Sequence, residues 1–313
     1  MAARRARRSR HVQSQPAASG QPGLVLANYG QVSLVEGEDG RILRCHQRRR
    51  LPRCVCGDRV LWEAGNPREG IITAVLERHT SLVRPDANGR ERTVAANMDQ
   101  VVVVVACRPA FEAGMLDRYL VATELIGASP VLVVNKSDLL DEDGRAAMEQ
   151  QLQRYRAIGY PLLFTSTHRN DGLGALHRQL RAHTSILVGQ SGVGKSSLVQ
   201  ALLPDLDIRT GELSQVTGLG RHTTTVATLY HLPDGGDLID SPGVRDFTLL
   251  PVPVEELARG FPEFRPFLGQ CRFHNCRHLG EPGCAVREAV RAGQIDARRY
   301  ESYTDIARTM TSR

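Results

Sequence analysis

The pattern of apolar and polar positions changes character twice along the chain. Between residues 23 and 98, apolar and polar residues alternate in short stretches that end at turn signals such as "EDG" and "ANG". Such alternation is typical of β-strands with one buried face. Several short strands in so short a segment favour a small closed barrel, for which the OB-fold is the commonest choice. We therefore predict an OB-type barrel over residues 23–98.

From residue 99 onward, wholly apolar runs alternate with longer amphipathic stretches. "VVVVVAC", "PVLVVN" and "TSILVG" predict buried strands, and "MLDRYLVATELIG" and "EDGRAAMEQQLQRYRAIG" predict the helices between them. This alternation favours a parallel sheet covered by helices on both faces, which is an α/β unit. We assign residues 99–250 to this unit. Residues 251–313 are expected to form a third unit of short helices around a cysteine cluster.

One strand-to-helix junction carries a complete phosphate-binding pattern. "GQSGVGKSS" fits GxxxxGK[ST], with an apolar strand before it and a helix after it. Backbone N–H groups of such a P-loop cradle phosphates at the helix N-terminus. Lys195 is expected to reach the β- and γ-phosphates, and the Ser196 hydroxyl to hold Mg²⁺. The predicted nucleotide-binding residues of this loop are Gly189, Gln190, Ser191, Gly192, Val193, Gly194, Lys195, Ser196 and Ser197.

The partners of a phosphate loop follow it along the chain. "LIDSPG" ends an apolar strand at Asp240, the acid expected near Mg²⁺, and the N–H of Gly243 is expected to sense the γ-phosphate. The polar, glycine-rich stretch 209–225 is typical of a switch loop that orders around a triphosphate. One of its threonines should complete the magnesium shell. The candidates are Thr224 and, as alternatives that spacing leaves open, Thr223 and Thr225.

A second motif, upstream of the phosphate loop, has the pattern of a guanine-reading turn. "NKSD" follows an apolar strand, and the Asp138 carboxylate would accept hydrogen bonds from the guanine ring N–H and amine. Adenine lacks that amine and would leave the carboxylate unsatisfied. "TST" at 165–167 follows the next strand, where a second base-side loop belongs. The alternative is that "NKSD" caps the following helix. The predicted base-side residues are Asn135, Lys136, Ser137, Asp138 and Ser166.

The order of these motifs is unusual, because the base-reading turn of an ordinary GTPase comes after the phosphate loop. Here both base-side elements come first, followed by the phosphate loop, the switch stretch and "DSPG". This order predicts a circularly permuted GTPase, since the ends of a domain often lie close enough to be rejoined. A short linker then leads from "DSPG" to "PVEELARGF". Because a short linker passes on displacement, we predict that contact of Gly243 with the γ-phosphate changes the position of the third unit.

The third unit contains a concentrated set of metal-binding residues. Cys271, Cys276, His278 and Cys284 give the spacing C-x4-C-x-H-x5-C, the ligand set of a closed structural Zn²⁺ site. His274 lies within the same stretch and is the competing ligand. The other cysteines are expected to be small buried apolar residues. These are Cys45, Cys54, Cys56 and Cys107.

Charge and composition restrict the kinds of partner and location with which the sequence is compatible. The net charge of +6 is compatible with a polyanionic partner. Residues 1–22 predict a disordered basic tail rather than a secretory signal, and the longest apolar run is far shorter than the roughly 20 residues of a membrane span. A basic barrel surface suits RNA phosphates, with a merely solvated edge strand as the alternative. It comprises Arg41, Arg44, Arg48, Arg49, Arg50 and Arg53, and the third unit adds Arg272, Arg277, Arg287 and Arg291.

Taken together, the motifs resemble the ribosome small-subunit-dependent GTPase A family (RsgA, also called YjeQ). The stretches that carry the resemblance include "CHQRRRLP", "DRYLVATE", "VVNKSDLL", "GQSGVGKSSLVQALLP", "GRHTTT", "LIDSPGVRDF" and the cysteine cluster. The resemblance implies a barrel, a permuted GTPase domain and a C-terminal zinc domain, with one structural zinc and GTP-bound Mg²⁺. It favours His278 over His274 as the zinc ligand.

The resemblance also implies an activity and a setting. The activity is GTP hydrolysis to GDP, stimulated by the small ribosomal subunit during its late maturation in the cytoplasm. The expected partners are that subunit and its rRNA, with no DNA, no membrane and a monomeric chain. The alternative function is a GTP-gated RNA-binding adaptor with negligible turnover. Val244 follows Gly243, where many GTPases carry a water-positioning Gln, so His222 becomes the candidate for that role.

Overall fold

The computed structural model describes residues 19–66, 69–85, 88–206, 226–241, 247 and 249–311. Within these residues the strands form one eleven-stranded sheet and a separate two-stranded hairpin. The strands are β1 (Gln21–Asn28), β2 (Val32–Gly37), β3 (Ile42–Gln47), β4 (Arg59–Asn66), β5 (Glu69–Val75), β6 (Ser81–Pro85), β7 (Glu91–Ala96), β8 (Gln100–Ala106), β9 (Ser129–Asn135), β10 (Leu162–Phe164), β11 (Thr184–Val188), β12 (Thr228–His231) and β13 (Asp237–Asp240).

The described helices lie in the second half of the fold and are mostly short. They are α1 (Ala113–Leu125), α2 (Glu142–Ile158), α3 (Leu173–Leu180), α4 (Lys195–Leu202), α5 (Val254–Leu257), α6 (Ala285–Arg291) and α7 (Ala297–Thr311). Single 3₁₀ segments occupy Ser137–Leu139, Ala258–Gly260 and Pro262–Phe267. Among the described helices, none has both the length and the apolar character required to cross a bilayer.

Strands β1 to β5 close into a barrel. β1 is hydrogen-bonded to both β2 and β4, and β3 pairs with β5, so the order β1-β2-β3-β5-β4 returns to its start. The alternating apolar side chains of these strands point inward and form a core of their own. This core contains Val25, Val35, Leu43, Cys45, Cys54, Val60, Trp62 and Ile72. Burial raises the pKa of the Cys45 thiol to about 11 and that of Cys54 to about 12, so both stay protonated near neutral pH.

Strands β8 to β13 form the α/β part of the sheet, in the order β10-β9-β8-β11-β13-β12. The first five run parallel, and every residue of β8 is buried because helices cover both faces of the sheet. β11, which precedes the phosphate loop, lies between β8 and β13. The carboxyl ends of these strands therefore open onto one edge of the sheet, where ligands of open α/β sheets bind.

Two features of the strand arrangement were not expected from the sequence. The strands on either side of the predicted "ANG" turn, β6 and β7, form a hairpin of their own outside the barrel, and β12 is an antiparallel strand beside β13. β12 pairs with β1 at Thr228 and Ala27, so one continuous sheet runs from the barrel into the α/β part. A four-residue strand is too short to show a period in the sequence, which explains why β12 was missed.

The C-terminal helices pack around an aromatic core that α1 shares. Phe261, Phe264 and Tyr303 are fully buried, and their rings contact one another at centroid distances of 4.9 to 5.4 Å. Val121 of α1 belongs to the same core. The predicted architecture of an OB-type barrel, an α/β sheet and a small helical unit with the cysteine cluster is confirmed.

A buried charge cluster fastens the helical unit to the α/β sheet. The Arg299 guanidinium of α7 is fully buried and donates to Asp117 of α1 at 2.6 Å and to Glu263 at 2.7 Å. The same guanidinium lies 4.6 Å from the centre of the Phe261 ring. Tyr155 of α2 also donates to Asp117, at 2.9 Å. Removing one member would leave an uncompensated buried charge, so the cluster holds α7 firmly against α1 and α2.

Candidate nucleotide site and metal centre

The base-side turn lies at the carboxyl end of β9. Asn135 is the last residue of that strand and is buried, and Lys136 follows with a left-handed backbone at φ 60°. Ser137 begins a single 3₁₀ turn, and its N–H donates to the carbonyl of Thr165 at 3.0 Å. The turn is therefore fixed against the end of the neighbouring strand β10. Asp138, within the turn, is half-buried, so it remains partly open to solvent.

The Asp138 carboxylate is held in place as a hydrogen-bond acceptor. The Ser166 hydroxyl donates to its Oδ1 at 2.5 Å, and this bond is the main reason that the pKa of Asp138 lies below its usual value. The cap of α2 is a different residue, Asp141, whose carboxylate accepts the N–H of Gly144 at 2.8 Å. The interpretation of "NKSD" as a helix cap therefore has no support in the structure.

The loop after β10 supports the base-side turn from the other side. The Thr165 hydroxyl donates to Asn135 Oδ1 at 3.1 Å, and Ser166 exchanges backbone hydrogen bonds with Asp171. Thr165 was not among the predicted site residues, although its place in "TST", directly before Ser166, was the available signal. Its role is to orient Asn135, which in turn reaches the phosphate loop.

The phosphate loop, residues 189–194, passes close to two neighbouring strands and requires glycine at two positions. Gly189 has φ 143°, and a Cβ there would lie 2.1 Å from the carbonyl oxygen of Val104 in β8. Gly194 has φ 95°, and a Cβ there would lie 2.3 Å from Asn135 Nδ2. A Cβ would therefore clash with the backbone of β8 at Gly189 and displace the Asn135 amide at Gly194, and both φ values favour glycine. α4 begins directly after Gly194, so its N-terminus faces the loop.

Two hydrogen bonds join the base-side turn to the phosphate loop. Asn135 Nδ2 donates to the carbonyl of Val193 at 2.9 Å, and Lys136 Nζ donates to the carbonyl of Gly192 at 2.6 Å. The partners are 58 and 56 residues apart in the sequence, so spacing alone did not reveal these contacts. The two predicted half-sites thus form one continuous site.

The loop also carries the groups that a phosphate needs. Lys195 Nζ donates to the carbonyls of Gly189 and Gln190 at 2.6 and 2.8 Å, which places its ammonium over the loop. Gln190 Oε1 is buried and makes no hydrogen bond within the described part of the chain. Ser191, Ser196 and Ser197 are exposed around the start of α4. A cation, free hydroxyls and a helix N-terminus make this a suitable anion site.

The described magnesium candidates are oxygen donors that follow two adjacent strands. Ser196 lies in the first turn of α4, which the phosphate loop connects to β11, and Asp240 ends β13, which pairs with β11 in parallel. Burial raises the pKa of the half-buried Asp240 carboxyl above its ordinary value. Hydroxyl and carboxylate oxygens are the donors that Mg²⁺ prefers, so these residues fit that ion. The remaining predicted residues, His222, Thr223, Thr224, Thr225 and Gly243, lie outside the described residues.

The cysteine cluster gathers three thiols and one imidazole. The ligand atoms of Cys271, Cys276, His278 and Cys284 all lie within 4.8 Å of one another. His278 Nδ1 is 3.5 Å from Cys271 Sγ and 3.4 Å from Cys284 Sγ. Ligands about 2.0–2.3 Å from a tetrahedral zinc are spaced similarly, so the cluster is able to hold a metal ion. His274 is exposed and is not part of the cluster.

Residues around the cluster hold its loop in shape. The Glu281 carboxylate accepts the backbone N–H groups of Arg277, Leu279 and Gly280. Burial of Glu281 acts in the opposite direction, but these bonds lower the pKa of its carboxyl to about 2. Tyr300 of α7 donates to the carbonyl of His278 at 2.7 Å. The cluster is thereby connected to the helix that carries Arg299.

Comparisons with known proteins agree over most of the chain. The family model described as RsgA GTPase matches residues 75–250. The small ribosomal subunit biogenesis GTPase RsgA of Ectopseudomonas mendocina is 50% identical over 290 residues, which cover 91% of this chain and 84% of the relative. The protein with the same description from Pseudomonas aeruginosa is 49% identical over 290 residues, covering 93% and 86%.

Solved structures are similar across nearly the whole fold. YjeQ from Thermotoga maritima matches with a TM-score of 0.78 and 33% identity over 94% of this chain and 99% of its own. YloQ, described as a circularly permuted GTPase, matches with a TM-score of 0.77 and 29% identity over 97% and 98%. The circular permutation predicted from the order of the motifs is confirmed.

Proposed function

The chain belongs to the RsgA GTPase family, and from this membership we propose that it hydrolyses GTP to GDP and phosphate during late maturation of the small ribosomal subunit, with hydrolysis stimulated by that subunit. The observation that carries the proposal is the joining of the base-side turn to the phosphate loop. Lys136 Nζ donates to the Gly192 carbonyl at 2.6 Å, so a single connected site would bind both the base and the phosphates of one nucleotide.

The base-side residues explain the choice of guanine. The Asp138 carboxylate would accept hydrogen bonds from the ring N–H and the exocyclic amine of guanine. Its bond from Ser166 keeps it ionised and correctly turned, since that bond favours the charged form. Adenine would leave the carboxylate without a donor. The structure therefore supports a guanine nucleotide over an adenine nucleotide at this site.

The phosphate-side residues support hydrolysis. Lys195 and the loop N–H groups would bind the β- and γ-phosphates, and Ser196 and Asp240, with Thr224 as a further candidate, would hold Mg²⁺. The ion, when bound, would neutralise charge that develops on the phosphoryl oxygens. Gly243 would contact the γ-phosphate, and His222 would orient the attacking water in place of the Gln that Val244 replaces.

The partner and the cysteine cluster complete the proposal. The exposed arginines of the barrel, such as Arg48 and Arg50, suit rRNA phosphates, which we propose as the contact with the subunit. We propose one structural Zn²⁺ at the cluster, because three thiolates and an imidazole form a closed set with no open position. The chain would act as a monomer in the cytoplasm, without contacting DNA.

A turnover assay tests the function. Purified protein is supplied with GTP, with and without small ribosomal subunits, and released phosphate is measured. Slow intrinsic turnover that rises more than about tenfold with the subunit is expected, because Val244 cannot orient water. Turnover that stays negligible with the subunit present, while GTP still controls subunit binding, would instead identify the GTP-gated adaptor.

A single substitution tests the base-side reading. Asp138→Asn should weaken GTP binding by about 100-fold or more, because two charge-assisted hydrogen bonds are lost. Affinity for xanthosine triphosphate should rise, since its 2-oxo group accepts from the new amide. Asp143→Asn, an exposed carboxylate on α2, is the matched control and should bind GTP as the unmodified chain does. Unchanged GTP affinity in the Asp138 variant would exclude this residue as the guanine reader.

A further inference from the structure

The hairpin of β6 and β7 contains an unfavourable pairing of charges. Arg84 of β6 and Arg92 of β7 are directly opposite each other in the register of this hairpin. Like charges opposite each other are unusual in an antiparallel pair. The register brings two arginines to the same place on the hairpin, and this concentration of positive charge is the first sign of an anion site.

A third arginine approaches the same place from the barrel side. The pKa of Arg53 is lowered, first by burial and then by repulsion from Arg92. Among the described residues, neither the Arg53 nor the Arg92 guanidinium has a hydrogen-bond or carboxylate partner. The neighbouring Arg78 differs, since it donates to Asp58 at 2.7 and 2.8 Å. The chain thus neutralises Arg78 and leaves Arg53 and Arg92 close enough to repel each other.

These arginines line an open pocket of about 240 Å³. We call the pocket between Arg53, Arg84 and Arg92 the arginine pocket. It has room for a phosphate group, because a cavity needs only about 10–15 Å³ on the same measure to hold one water. None of its described lining residues is acidic. Its far wall includes Ser241, which directly follows the magnesium candidate Asp240.

We propose that the arginine pocket binds a backbone phosphate of small-subunit RNA. This inference rests on the proposed function, because the subunit supplies the RNA. Arg53 and Arg92 are exposed, so a phosphate that is part of a chain can enter from solvent. Arg53 is also the last member of the basic barrel surface that begins at Arg41, so one RNA strand can run along that surface into the pocket. The bound phosphate lies beside Ser241 and therefore next to the nucleotide site.

The test measures binding of small ribosomal subunits at several salt concentrations, together with stimulation of GTP turnover relative to each variant's own intrinsic rate. Arg92→Gln is expected to weaken subunit binding about tenfold, as loss of a charge-assisted contact does. It should also reduce the slope of log affinity against log salt by about one. Arg92→Lys keeps the positive charge, so the slope of log affinity against log salt should stay that of the unmodified chain.

The matched control is Arg90→Gln, which removes the same charge from the same hairpin outside the pocket and should bind the subunit like the unmodified chain. Equal losses for Arg90→Gln and Arg92→Gln would show a general charge effect and overturn the proposal. Calorimetric titration with inorganic phosphate separates the two sources of this anion. Phosphate binding that requires Arg92, with an unchanged salt slope for the subunit, would mean a free-anion site and overturn the RNA assignment. An unmodified chain that neither binds subunits nor hydrolyses GTP would overturn the proposed function itself.

Discussion

The α/β sheet is joined to the barrel by a junction with an apolar interior and an exposed polar rim around His231, and we call this rim the hydrated junction. One backbone pairing, between Ala27 and Thr228, connects the two. Beside it, the His231 ring contacts Glu36 of the barrel at 2.8 Å and Asp237 at 2.7 Å, and the His231 side chain is 47% exposed. A pocket of about 340 Å³ opens at the same junction. Water therefore reaches the polar contacts at the rim of this junction, while Leu26 and Leu34 of the barrel share a buried core with Leu229 of β12.

The junction with the helical unit is buried by comparison. The Arg299 side chain is 0% exposed and the Asp117 side chain 3%. Val121 of α1 packs within the core of the helical unit, and a Cβ on Gly260 would lie 2.7 Å from it. Opening this junction would expose apolar area and an ion cluster together.

The two junctions differ in how far their polar contacts are exposed, but both lie near segments that the nucleotide is expected to reach. The hydrated junction involves β12 and β13, which adjoin the switch stretch and the "DSPG" turn in the sequence. The buried junction involves α1, whose Tyr119 ring stacks on Phe247, four residues after Gly243, with ring centroids 6.0 Å apart. Rearranging the exposed polar contacts would cost less free energy than exposing the buried ion cluster. Displacement of the helical unit, expected from the short linker, stays a prediction that the linker insertion below tests.

The largest effect is expected from removing a ligand of the zinc that we propose for the helical unit. Cys276→Ser should reduce zinc content from one per chain to none and unfold the helical unit. Metal binding in such sites supplies folding free energy, about 10–16 kcal/mol in zinc-finger peptides. Elemental analysis and the proteolysis of residues after 250 measure both outcomes. His274→Ala is the control and should retain zinc; retention of zinc by Cys276→Ser would place the metal elsewhere.

The second prediction breaks the buried junction directly. Arg299→Ala should lower the free energy of unfolding of the helical unit by about 3–5 kcal/mol, because Asp117 and Glu263 would remain as buried charges without a partner. Chemical denaturation followed by Tyr fluorescence measures the change. Arg308→Ala, on the same helix with an exposed partner, should cost less than about 0.5 kcal/mol. An equal loss of unfolding free energy in the two variants would show that the buried contacts of Arg299 do not stabilise the helical unit more than an exposed ion pair does.

These two regions also differ in how far the sequence could predict them. The cysteine cluster lies within fourteen residues, so its spacing alone indicated a metal site. Arg299 lies on a polar helix, and its partner Asp117 is 182 residues away, so nothing local predicted its burial. The parallel sheet could be predicted because β8 is apolar from Val101 to Ala106. The contact of Lys136 with Gly192 could not, since only the fold brings distant segments together.

The third prediction concerns pH and the hydrated junction. The hydrogen bond to Asp237, then the charge of Glu36, raises the pKa of His231 from 6.5 to about 9, against the opposing effect of burial. A raised pKa stabilises the folded state fully below the unfolded value, and that contribution is lost as pH rises through the folded value. The junction should therefore weaken between about pH 6.5 and pH 9.

The measurement compares the unmodified chain with His231→Gln by chemical denaturation from pH 6 to pH 10. The difference in stability should be largest at pH 6, below about 1 kcal/mol because His231 is half exposed, and should vanish near pH 10. Comparing the two proteins cancels other titrating groups, including Cys56. His183→Gln is the control, because the His183 side chain is exposed and near the same strands. A difference that does not vary with pH would remove His231 as a titrating contact.

The smallest effect is expected from lengthening the linker to the helical unit. Val252 in this linker donates its N–H to Met310 Sδ at 3.2 Å, and Leu249 and Val252 pack on the helical core, so the linker is itself held down. Inserting a flexible Gly/Ser segment between Leu250 and Pro251 leaves the Arg299 cluster intact. Intrinsic turnover and its stimulation by the subunit should therefore both stay within about twofold of the unmodified chain.

The same insertion combined with Arg299→Ala sharpens the comparison, because it removes both attachments of the helical unit. Stimulation should then fall by more than the two single changes predict together, since each attachment compensates for loss of the other. Phosphate release with and without small subunits measures all four proteins. A sharp loss of stimulation from the insertion alone, at unchanged intrinsic turnover, would show that the linker transmits the nucleotide state after all. The buried junction would then hold the helical unit in place without deciding how it responds to GTP.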